Sequence, residues 1–178
     1  YYIEQLNLSE KAKQYLKKRG IDQRTIEIFK IGYAQAERNF LSGFLKEKGF
    51  DDILINSSGL VSNSNDFFRN RIIIPIHDLT GRVIGFGGRL IDSAPDIPKY
   101  INSPDTPIFK KGENLFGLLY SKQHIREKGY VIVVEGYMDV ILCYQYGFKN
   151  VVAPLGTALT QEQLEKTKRI LNNLKKFT

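Results

Sequence analysis

A chain of 178 residues with 42% hydrophobic and 25% charged residues has an ordinary globular composition, not a disordered or fibrous one. No run approaches the ~18 uninterrupted apolar residues of a membrane-spanning helix and no signal-peptide pattern opens the chain, so a cytoplasmic protein with no membrane partner is expected. One cysteine excludes an intramolecular disulfide and a CxxC zinc pattern, while the net charge of +7 leaves two readings open, a polyanion-binding surface or a merely basic one.

Residues 1 to about 60 read as mainly helical. Ser9 and Glu10 start a helix whose apolar stripe is Ala12, Tyr15 and Leu16, and Gly20 stops it. A second helix follows Asp22, with Ile26 and Phe29 facing inward. A third carries Leu41, Phe44 and Leu45 and closes at Gly49. Two short helices across a glycine fit either plain helical packing or a DNA-reading helix-turn-helix. The stretch DFFRNRIIIPIHDLTGRVIGFGGRL then reads as two strands, near Phe67 to His77 and near Arg82 to Leu90, with turn residues between. Alternation puts Arg69 and Arg71 on one face and Ile72, Ile74 and Ile76 on the other. Gly85, Gly87 and Gly88 weaken a strand, so they imply either a close approach of backbone or ligand, or a bulge.

The following segment, DSAPDIPKYINSPDTPIFKKGENLFG, holds four prolines and little periodicity. Tyr100, Ile101, Ile108 and Phe109 are its candidate anchors, and an ordered loop presenting Lys99, Lys110 and Lys111 is expected. From Tyr130 the order is strand, helix, strand, helix. YVIVV reads as a strand buried on both faces, residues 138 to 146 as a helix stopped by Gly147, and NVVAPLG as the second buried strand. Thr160 and Gln163 form a capping-box pattern for a helix through Leu174. Cys143 reads as a small core residue, and His77 and His124 are too few for a histidine metal site.

Glu135 stands directly after the first of these strands, before Gly136, and Asp139 falls in the first turn of the next helix. Ligands of open parallel sheets bind beyond the carboxyl ends of the strands. Two carboxylates there, near the positive end of a helix, suit a hard cation such as Mg²⁺. Asp139 is also favourable in a first helical turn without any metal.

VVEGYMDV, together with RNRIIIPIHDLTGRVIGFGGR, PKYINSPDTPIFKKG and LFGL, resembles the catalytic core of bacterial-type DNA primases, the DnaG family. YLKKRGIDQRTIEIFKIGYA resembles that core's opening, so the likeness covers essentially the whole chain. It implies an α/β fold: an α+β amino-terminal subdomain over residues 1–128, then the beginning of a parallel-sheet Toprim domain over 129–178. It implies an RNA-primer-synthesising nucleotidyltransferase. Glu135 and Asp139 would be catalytic and would hold Mg²⁺ or Mn²⁺, with no zinc expected in this region. Arg69, Arg71, Arg89, Lys99, Tyr100, Asn102 and Lys111 would handle ribonucleoside triphosphates and the single-stranded DNA template. The metal ions would activate the attacking 3′ hydroxyl and neutralise the triphosphate. A replicative helicase would be met through a region absent here.

The family's later Asp-x-Asp pair is not in this chain, which opens on Tyr1 and reads as an excised region that makes no primers alone. Two other readings remain. One is another Toprim phosphodiester enzyme, a topoisomerase or nuclease, although no tyrosine is identifiable as a nucleophile. The other is a non-enzymatic single-stranded DNA-binding module with structural carboxylates.

Overall fold

Short helices need their first amides satisfied, and the sequence supplies the acceptors. In the computed structural model, which describes residues 1–62, 64–92 and 95–172, helix α1 (Tyr2–Leu8) runs into α2 (Glu10–Lys18) at Ser9. The Ser9 hydroxyl accepts from the Ala12 amide (3.2 Å), and Ala12 and Leu16 are fully buried. Asp22 does the same for α3 (Gln23–Ile28), accepting from Thr25 N at 2.7 Å. Phe29 is buried as expected, whereas Ile26 is only half-buried. Helices α4 (Phe40–Glu47) and α5 (Asp52–Ser57) follow. The cap of α4 comes from afar: both carboxylate oxygens of buried Asp66 accept amides, from Leu41 (2.7 Å) and Ser42 (3.0 Å). Burial raises the Asp66 pKa and those amide bonds oppose the rise.

The chain divides into two compact units, Tyr1–Pro75 with Phe86–Ile108, and Ile76–Gly85 with Phe109–Thr178. A sheet has the order β1-β4-β5-β6, in which β1 is Gly32–Ala34, β4 Arg71–His77, β5 Val83–Leu90 and β6 Tyr100–Asn102. β1, β6 and most of β4 and β5 belong to the first unit, and Ile76–His77 and Val83–Gly85 to the second. β1 is antiparallel to β4 and β5 to β6, and a separate ribbon joins β2 (Val61–Ser62) to β3 (Asn65–Asp66). β4 begins at Arg71 rather than near Phe67, because Asn70 turns into the left-handed region (φ 51°). Every residue of β4 is buried, so both of its faces are covered; Arg71 lies inside along with Ile72, Ile74 and Ile76, and Arg69 precedes the strand. The strand glycines answer to close approach by aromatic side chains. A Cβ on Gly88 would lie 2.5 Å from the Phe68 ring, and one on Gly85 3.0 Å from Phe109. Phe68 anchors a core with Ala34 and Ile73, joined by Phe86 and Ile101.

In the second unit, a 3-10 turn (Lys111–Glu113) precedes α6 (Leu118–Lys128), a helix not anticipated from the sequence. β7 (Ile132–Val133), α7 (Tyr137–Gln145) and β8 (Val151–Val152) form the expected parallel βαβ unit, with Ile132 opposite Val151. β8 is fully buried, but β7 is not: among the described residues it pairs on one side only, and Val133 is 46% exposed. Cys143 is half-buried rather than core. Thr160 and Gln163 cap α8 (Gln161–Asn172) reciprocally, at 3.1 and 3.2 Å. Leu174, the expected end of this helix, lies outside the described residues. Of the anchors expected in the proline-rich segment, Phe109 is buried and Ile101 half-buried, while Tyr100 and Ile108 are exposed. The architecture is mixed α/β, a helical and antiparallel-sheet portion followed by a small parallel sheet. Among the described residues, no helix is long and apolar enough to cross a membrane.

Candidate functional site

Two places gather the candidate residues, one in each unit. In the second unit the β7 ladder extends to Val134, whose amide donates to Val152 O at 3.0 Å, and Glu135 is the next residue. Gly136, extended at φ −154°, is the N-cap of α7, and Asp139 is the third helical residue. One Asp139 oxygen accepts the Gly136 amide at 3.1 Å and so closes the helix start. Both carboxylates are exposed, and Glu135 makes no hydrogen bond or ion pair among the described residues.

The donor set is chemically right for a hard cation, since it is all carboxylate oxygen. It is small: no cluster of three or more His, Cys, Asp or Glu able to hold a metal occurs among the described residues. Tyr137, the tyrosine beside this motif, is 5% exposed and packs edge-on against Phe116 at 4.8 Å. Burial drives its hydroxyl pKa upward, the opposite of what a nucleophile needs. Lys111, half-buried, sits in the 3-10 turn, and its carbonyl accepts from Gln163 Nε2 at 3.0 Å.

The first unit holds the remaining basic candidates. Arg69 and Lys99 are exposed, Tyr100 is 40% exposed, and Asn102 is half-buried opposite Gly87. Arg71 and Arg89 are instead buried, at 4% and 3% exposure. Arg71 donates to the carbonyls of Pro98 (2.8 Å), Lys99 (3.3 Å) and Gly88 (3.4 Å). Arg89 Nε donates to the Tyr15 hydroxyl, and its guanidinium carbon lies 4.8 Å from the centre of the Tyr100 ring. Two open grooves flank these residues. One, of about 440 Å³, is lined by Tyr15, Arg19, Arg89 and Lys99, and the other, of about 300 Å³, by Phe67, Arg69, Asn70 and Arg71.

Asp92 lines both grooves and is neutralised where it stands. Lys11 Nζ lies 2.6 Å from its carboxylate and Asn70 Nδ2 donates to the same oxygen at 2.7 Å. The Lys11 bond raises the lysine pKa and lowers that of Asp92. Sequence reasoning missed Lys11, Arg19, Asn70 and Asp92 as groove residues, and gave Tyr15 only a place in an apolar stripe. Lys11 and Asp92 meet across 81 residues and Asn70 and Asp92 across 22, so nothing local marks these three.

Residues 1–122 match the family model for the DNA primase catalytic core, N-terminal domain, and residues 129–176 match the Toprim domain. A DNA primase of Clostridium acetobutylicum is 47% identical over 95% of this chain, which spans 28% of that protein. The crystal structure of the zinc-binding and RNA polymerase domains of the Aquifex aeolicus primase superposes with a TM-score of 0.88 at 46% identity, covering 95% of this chain and 42% of that one. A DnaG primase catalytic domain bound to single-stranded DNA superposes at 0.83 with 41% identity, covering 95% and 54% of the two chains.

Proposed function

The chain belongs to the DNA primase catalytic-core family, and on that premise we propose that it is the core region of a primase that joins ribonucleotides into short RNA primers on single-stranded DNA. The observation that carries the reading is the pair of exposed carboxylates, Glu135 and Asp139, at a strand end and helix start, in a chain whose other unit bears basic grooves. The family models end and begin at residues 122 and 129, which supports a functional division at 128/129.

Glu135 and Asp139 would hold Mg²⁺ or Mn²⁺, which supplies charge neutralisation and a more acidic 3′ hydroxyl when bound. Asp139 has one oxygen engaged by the Gly136 amide, so its carboxylate is held in place before any ligand arrives. Arg69, Lys99 and Lys111 neutralise phosphates of the template and of the incoming ribonucleoside triphosphate. Tyr100 offers a ring face to a base, and Asn102 a polar contact. Arg71 and Arg89 belong to the same tract through the backbone and ring they hold. Phosphoryl transfer asks little covalent chemistry of a protein, so positioning and charge are what these residues contribute. The helicase partner would be met outside these 178 residues, and the cytoplasm is where such a template is found.

A protein of the length of its curated relatives, given single-stranded DNA, ribonucleotides and Mg²⁺, should make primers. Its Glu135→Gln variant should bind the DNA but make none. Primer synthesis undiminished by that substitution, or by chelation of the metal, would remove the carboxylates from the chemistry. Metal-independent DNA binding with no synthesis would favour a binding module.

A further inference from the structure

Arg71 and Arg89 are cationic, yet phosphates do not easily reach them. The Arg71 guanidinium spans three backbone carbonyls, two of them consecutive, at Pro98 and Lys99, just ahead of β6. It has no ion pair among the described residues, so carbonyl dipoles alone offset its buried charge, and burial lowers its pKa. The Lys99 carbonyl also accepts the Leu90 amide at 2.9 Å, so the same peptide unit is gripped from two sides. Arg89 lies against the ring of Tyr100, the next residue.

We propose that Arg71 is a positioning residue of the nucleic-acid surface: it clamps the Pro98–Lys99 backbone, with Arg89 supporting the Tyr100 ring, so that Lys99 and Tyr100 meet a single-stranded polynucleotide already in place. The inference rests on the template-binding reading above and assigns a role within it. A guanidinium is needed because its planar fork reaches several carbonyls at once, which the single ammonium of lysine does not. The benefit is preorganisation: a lysine on a held backbone loses less freedom when it binds a phosphate.

Affinity for a fluorescent oligothymidylate is measured against salt concentration for wild type, Arg69→Ala, Lys99→Ala, Arg71→Lys and the Lys99→Ala/Arg71→Lys double variant. Hydrogen exchange of the Leu90 amide is followed in the free protein. Arg71→Lys, which keeps the charge, should weaken binding several-fold and lower the salt slope by about as much as Lys99→Ala, roughly 0.7 for one single-strand phosphate contact. The double variant should lose less than the sum of the two single losses, its remaining deficit against Lys99→Ala coming from the misplaced Tyr100, and Leu90 exchange should quicken in Arg71→Lys. Wild-type affinity and slope in Arg71→Lys, full additivity with Lys99→Ala, or unchanged Leu90 protection would each overturn the clamp. Should Arg71→Lys not fold, side-chain NMR of the wild type decides. On adding DNA, the Arg69 and Lys99 signals should shift and that of Arg71 should not, whereas a large Arg71 shift would make it a direct contact. If Arg69→Ala and Lys99→Ala also bind as wild type, the template surface itself is misassigned. That outcome differs from loss of the clamp alone.

Discussion

At the scale of single residues, Glu135 and Asp139 differ in what holds them. Glu135 supports no described hydrogen bond, so Glu135→Gln should leave the thermal midpoint within a degree or so of wild type while Mn²⁺ binding, read by water-proton relaxation, falls severalfold. Asp139 also closes the start of α7, so Asp139→Ala should lose Mn²⁺ binding and about 0.5–2 kcal/mol of stability in urea titration. Asp78 makes a third case. Its carboxylate accepts from the Thr80 hydroxyl and amide and from the amide and guanidinium of Arg82, and these bonds hold its pKa well below the ordinary carboxylate range. A depressed folded pKa gives stability that is complete above the unfolded value near 4 and is lost as pH falls below it. The thermal midpoint of Asp78→Asn should therefore decline less than that of wild type between about pH 4 and pH 2.

At the scale of elements, the Gly88–Phe68 contact should be readable by mutation. Gly88→Ala puts a methyl within 2.5 Å of the Phe68 ring and should cost about 1–3 kcal/mol. Phe68→Leu should recover part of that loss in a double-mutant cycle, and purely additive effects would show that the ring is not what the glycine accommodates. Elements with local causes were legible in the sequence: Ser9, Asp22 and Thr160 each cap the helix they precede. Helix α6 was not, because Ser121 interrupts its inner stripe between Leu118 and Ile125. That serine is buried by donating to Val151 O at 2.6 Å, a partner 30 residues away. β7 read as doubly buried because its composition is uniformly apolar, and composition does not say how many neighbours a strand will have.

For the molecule as a whole, the excess of 26 basic over 19 acidic side chains attracts a polyanion but does not itself set the salt dependence of binding. That depends on how many phosphates are contacted. Lys13→Ala, which removes a charge paired with Glu10 on α2, should leave the slope unchanged, while Arg69→Ala should flatten it by about 0.7. Equal slopes for the two variants would mean a diffuse field rather than discrete contacts. The acidic pair was legible from its place after an apolar run, and the basic candidates from resemblance to a family. The division of the basic set into exposed and buried members was not. It is decided by bonds such as that of Arg71 to Pro98, between residues 27 apart.

The long-range cap of α4 has a consequence for the order in which the chain is made. Asp66 follows Leu41 by 25 residues, an interval of about 1–5 s at ~5–20 residues per second of synthesis. A short helix forms and melts within about a microsecond, so residues 40–47 sample and abandon helix many times before their cap exists. A nascent chain stalled at residue 60 should show little helix there by NMR, and one released to residue 68 should show more. The ribosome thus finishes the second half of this motif before the first half can keep its shape.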